Sequence, residues 1–134
     1  MNIKSVNRAM TAAVLMLSFA SASPGQADVK DYEFQLVQSE VKKGDGAVVA
    51  VRLVNKKTGN PVPDAVIFAK RIDMAPDAMK EMVAPLEVLP SAEPGVYRFK
   101  TNLSMAGRWQ LSLGAKVQGE SGSVESKLVL KALP

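Results

Sequence analysis

Arg108 to Val117 (RWQLSLGAKV) sets Trp109, Leu111, Leu113, Ala115 and Val117 at every second position, with polar or small residues between them. Successive side chains of a strand point to opposite faces, so a period of two gives this segment one apolar and one polar face. It is the longest clean alternation in the chain and reads as a central strand with Trp109 in the core.

The same period recurs on both sides of it. Tyr32 to Ser39 alternates, and Lys42-Lys43-Gly44-Asp45-Gly46 follows as a turn. Ala47 to Asn55 places Val49, Val51 and Leu53 on one face, and Lys56 to Pro61 ends it. Ala65 to Ile72 is short and rich in β-branched residues, Pro85 to Leu89 suits a sheet edge, and Glu93-Pro94-Gly95 turns the chain into Val96 to Thr101. Val124 to Leu130 is the last strand. Six or seven short strands at this spacing, with almost no helical periodicity, predict an all-β, immunoglobulin-like β-sandwich, with a small barrel as the alternative.

The amino-terminal segment is of another kind. Lys4 and Arg8 precede the apolar run Ala9 to Ala20, and small residues follow at Ala20-Ser21-Ala22 and Gly25-Gln26-Ala27. This is the pattern of an export signal, residues 1–27, cleaved before Asp28, with a cut after Ala22 as the alternative. The apolar run is shorter than the roughly 18 residues a spanning helix needs, so no stable membrane insertion is expected after cleavage, and the expected location is the periplasm. Residues 28–134 then form a single domain. Without Lys4 and Arg8 the 17 basic residues become 15 against 13 acidic, a net charge of +2. That charge is scattered and gives no nucleic-acid footprint.

The chain has no cysteine and no histidine. Disulfides, zinc-thiolate sites, catalytic thiols and Ser-His triads are therefore excluded, and an enzyme is not expected. The soft donors that remain are thioethers. Met1, Met10 and Met16 belong to the leader, which leaves Met74, Met79, Met82 and Met105. Three of these fall within Asp73 to Met82 (DMAPDAMKEM), where Pro76 and Asp77 can open a turn of helix that puts Met79 and Met82 on one face.

Thioethers bind Cu(I) or Ag(I) without losing a proton, so the four methionines are candidate ligands for either ion, with no metal required for folding. Asp73 and Asp77 would add negative charge, and Trp109 could shield or stack on a cation. Each methionine taken alone reads as a core gap-filler, and a methionine-rich surface also suits an adaptable protein contact. Lys42-Lys43 and Lys56-Lys57 read as solvated turns, and Arg71 and Arg108 as strand-flanking charges.

Val51-Arg52-Leu53, Thr58-Gly59-Asn60-Pro61-Val62, Asp64-Ala65, Asp73 to Met79 with Met82, Pro94 to Phe99 and Leu103 to Leu111 together resemble the FixH/YtkA-like family of small exported bacterial domains. The resemblance covers most of residues 47 to 117. It implies an immunoglobulin-like sandwich associated with heavy-metal efflux of the resistance-nodulation-division type or with copper delivery to respiratory oxidases. Relatives tied to oxidase assembly keep a membrane anchor, so a cleaved leader favours the efflux association. The expected partner is a heavy-metal efflux adaptor or pump, and the alternative is a metal-free interaction module docking on a transport or respiratory-oxidase complex.

Overall fold

The computed structural model describes residues 29–134 apart from Ala92. The expected export signal lies outside the described residues. After a 3-10 turn at Val29–Asp31 come nine strands: β1 (Tyr32–Leu36), β2 (Glu40–Lys42), β3 (Gly44–Asn55), β4 (Val66–Met74), β5 (Met79–Ala84), β6 (Leu86–Leu89), β7 (Val96–Leu103), β8 (Gly107–Lys116) and β9 (Val124–Leu133). They form a four-stranded sheet in the order β1-β3-β7-β6 and a five-stranded sheet in the order β2-β9-β8-β4-β5. This is the expected all-β sandwich of immunoglobulin-like type, with two strands more than the upper expectation. Among the described residues no helix is long and apolar enough to cross a membrane.

The alternation on β8 does what its period requires. β8 is the middle strand of its sheet, and Trp109, Leu111, Leu113 and Ala115 are all buried. They meet Phe34, Val49, Val51, Leu53, Phe99 and Leu103 from the four-stranded sheet in one core. Each large side chain so buried contributes about 1.5–3 kcal/mol relative to exposure. With no disulfide available, this packing and the ladders hold the fold.

The two additional strands have clear causes. β2 lies parallel to the end of β9, pairing Glu40 with Lys131 and Lys42 with Leu133, so part of the expected Lys-rich turn is an edge strand. Backbone bonds from Lys131 to Ser39 and from Lys43 to Leu133, each 2.8 Å, fasten it at both ends. β5 replaces the expected helical continuation. Pro76 opens only a 3-10 turn, Ala75–Asp77, which Ala78 ends in the left-handed region at φ 61°. The chain then returns antiparallel along β4, pairing Ile72 with Ala84 and Asp73 with Val83. Met79 and Met82 therefore lie on a strand and not on one face of a helix.

Tyr97 ties the long connection before β4 to the sandwich. Its hydroxyl donates to the Val62 carbonyl at 2.6 Å and accepts from the Ala65 amide at 3.0 Å, while its ring meets Phe34 edge-on at 6.4 Å. Two backbone groups of the connection are thereby satisfied by one side chain.

Candidate functional site

The methionine segment sits where β4 turns into β5, beside the start of β8. Met74 closes β4 and is the register partner of Met79, the first residue of β5. Between that pair and the next, Asp73 with Val83, the β5 side carries Lys80, Glu81 and Met82 as an irregularity. This bulge lets Met79 and Met82, three apart, both pack against the core as partly buried residues. Met74 is wholly buried within that core.

Met105 lies in the tight connection from β7 to β8 and is 39% exposed. Its carbonyl accepts the indole N–H of Trp109 at 3.1 Å. Two residues on, Gly107 has φ 141°, and a Cβ built on it would stand 2.8 Å from Cε of Met74 and 2.7 Å from Oδ2 of Asp77. The β7–β8 connection is therefore pressed against both Met74 and the 3-10 turn. Met74, Met79 and Met105 belong to one end of the sandwich, with Met82 beside them on β5.

The acidic residues are already engaged. Arg71 Nε lies 2.6 Å from Oδ2 of Asp73, and its Nη2 donates to the Lys80 carbonyl at 2.9 Å, which straps β4 to β5. The Ala75 amide donates to the other Asp73 oxygen at 2.9 Å. Burial pushes the Asp73 carboxyl up, but the bonds from Arg71 and Ala75 outweigh it and hold the group below its ordinary value. Asp77 receives the Arg108 amide and Arg108 Nε, both at 2.8 Å, and Arg108 Nη2 also donates to the Pro76 carbonyl at 2.7 Å. The Arg108 amide first and its guanidinium second lower the Asp77 carboxyl.

These placements revise two expectations and bear out a third. Asp73 and Asp77 are neutralised by arginines and do not present free charge to a cation. Trp109 is buried with its indole N–H bonded to the Met105 carbonyl, which is the core role expected from the alternation and not that of a shield over an ion. Arg71 and Arg108 do more than flank strands, since each joins two segments of the methionine region. No cluster of three or more His, Cys, Asp or Glu with metal-binding geometry occurs among the described residues, so the donors on offer here are thioethers.

The family model described as YtkA-like matches residues 26–114, which takes in β1 through most of β8 and the whole methionine region. The chain belongs to the YtkA-like family. Comparison with curated proteins gives no match. Among solved structures, the ZirS C-terminal domain is similar at 13% identity, covering 98% of this chain and 86% of that one with a TM-score of 0.45. A likeness at that level carries no argument about function. What the YtkA-like domain offers chemically is a sulfur-rich strand end held in place by two arginine clasps.

Proposed function

We propose that this YtkA-like domain is an exported, non-catalytic accessory protein of heavy-metal handling. In this reading Cu(I) or Ag(I) is its cargo, taken up by Met74, Met79, Met82 and Met105 and passed by ligand exchange to an efflux adaptor or pump. The observation that carries it is the convergence of Met74, Met79 and the β7–β8 connection bearing Met105 at one end of the sandwich. Thioether sulfurs from three separate backbone segments are the kind of donor set a soft d10 ion accepts, and they need no deprotonation.

A second reading is favoured by one observation: Met74 is wholly buried and packs as a core residue. In that reading the same end of the sandwich docks on a transport or respiratory-oxidase complex without metal.

An anaerobic Cu(I) competition titration against a chromophoric chelator separates the two. It uses protein purified after expression with its own amino-terminal segment, beside a Met74→Leu/Met79→Leu variant. Leucine keeps the core volume while removing sulfur. The metal reading expects about one ion per chain, lost in the variant. Failure of both proteins to compete would overturn it and leave the metal-free module.

A further inference from the structure

β4 is paired with β8 along most of its length but with β5 only at Ile72, Asp73 and Met74. Beyond Ala84 the chain passes through Pro85 and crosses to the other sheet, where β6 pairs with β7. Val66 to Arg71 is therefore an open strand edge, with no strand on that side among the described residues. A groove of about 560 Å³ adjoins the start of this edge at Ile67, lined also by Ala65, Val88, Tyr97 and Phe99 among others.

Natural sheets blunt such edges with proline, charge or short strands. β6, the edge strand of the four-stranded sheet, lies between Pro85 and Pro90. The open part of β4 has no proline and presents Val66 and Phe68, 59% and 55% exposed. Phe68 sits at a register shift, and its ring lies over Gly114, where an added Cβ would stand 3.1 Å from Cζ. The aromatic face is thus seated on the sheet and stays available from outside.

The surrounding charge says what fits there. Lys70 is on the edge itself, Lys116 is the register partner of Val66, and Lys127 lines the depression beside Phe68. None of the three makes a salt bridge among the described residues. Glu125 is the one carboxylate lining that depression. Antiparallel pairing of this edge with a second copy would bring Arg71 of each chain toward Lys116 of the other on the outer face, so like charges oppose self-association.

We propose that the Val66–Arg71 edge accepts an extended acidic segment of a partner protein as an added strand. Its backbone completes the β4 ladder, its apolar side chains meet Val66 and Phe68 on the outer face, and its carboxylates, which alternate to the other face, meet Lys70. This surface is separate from the methionine end and does not rest on metal binding.

The test uses two blocked peptides, TEVEVET and TKVKVKT, with amide hydrogen exchange and fluorescence anisotropy as readouts. The acidic peptide should slow exchange in Val66–Arg71 and bind at least about tenfold more tightly than the basic one. A Lys70→Glu/Lys116→Glu variant, altered only at exposed positions, should invert that preference. Equal binding of both peptides, no binding at about 1 mM, or protection elsewhere in the chain would overturn the proposal. So would sedimentation showing that the peptide-free protein dimerises through this edge.

Discussion

Arg108 grips Asp77 with two different groups, its backbone amide and its guanidinium Nε, each 2.8 Å from a separate carboxylate oxygen. The residues are 31 apart in sequence, so the contact fastens the 3-10 turn after β4 to the first residues of β8. Met74 lies immediately before that turn and is wholly buried. The clasp therefore sets the backbone path on which the methionine end depends.

Its stability should depend on pH in a defined direction. The Asp77 carboxyl is held below its ordinary value of 3.8 by Arg108, so folding favours the ionised form. That contribution is fully present above the unfolded value and is lost as pH falls through the lower folded value. Asp77→Asn should be less stable than the parent near neutrality, and the two melting temperatures should converge on acidification from about pH 4 downward. Asp73 titrates in the same range but is common to both proteins, so thermal melts of the pair at pH 7 and about pH 2.5 isolate Asp77. A difference that stays constant across that range would show that the clasp carries no ionic contribution.

The same junction makes Gly107 hard to replace. A Cβ there meets the pinned Asp77 carboxylate at 2.7 Å and Met74 Cε at 2.8 Å, and the backbone at φ 141° is itself unfavourable for an L side chain. Gly44, at the same φ of 141°, has nothing within 4 Å of the added Cβ and so isolates the torsional cost. Gly44→Ala is expected to lose about 1 kcal/mol and Gly107→Ala about 2–4 kcal/mol, read from urea midpoints. Gly107→Ala should also speed exchange of the Ala75 and Ala78 amides, which are bonded within this turn. Equal losses for the two variants would mean that the junction yields to a methyl group without cost.

Which of these features could be read along the chain follows from their range. Strands such as β3 and β8 declare themselves because alternation is local and one face must be buried. β2 does not, since Glu40-Val41-Lys42 is too short to alternate and is defined by pairing with β9, some 90 residues away. β5 was masked by a sound local signal: Pro76, Asp77 and methionines three apart favour a helix start. Pairing of Ile72 and Asp73 with Ala84 and Val83 overrides that signal. The methionines were visible as a cluster, but the depth of Met74 and the neutralisation of Asp77 by Arg108 depend on how the β4–β5 hairpin docks on β8. Spacing alone carries no information on that docking.

Thr101 offers a test of the core itself. It lies on β7 between Ala47 of β3 and Leu86 of β6, is 3% exposed, and its hydroxyl has no hydrogen-bond partner among the described residues. A buried hydroxyl left unpaired costs free energy that an apolar group of the same shape does not. Thr101→Val replaces the hydroxyl with a methyl group, keeps the branching that suits a strand, and should raise stability by about 1 kcal/mol in urea unfolding. Thr101→Ser keeps the hydroxyl and removes the methyl group, so it should lower stability by a similar amount, about 1 kcal/mol. The two variants thus move in opposite directions from the parent. Loss of stability in Thr101→Val would mean that the hydroxyl is bonded in solution and that this part of the interface between β3, β7 and β6 is wet.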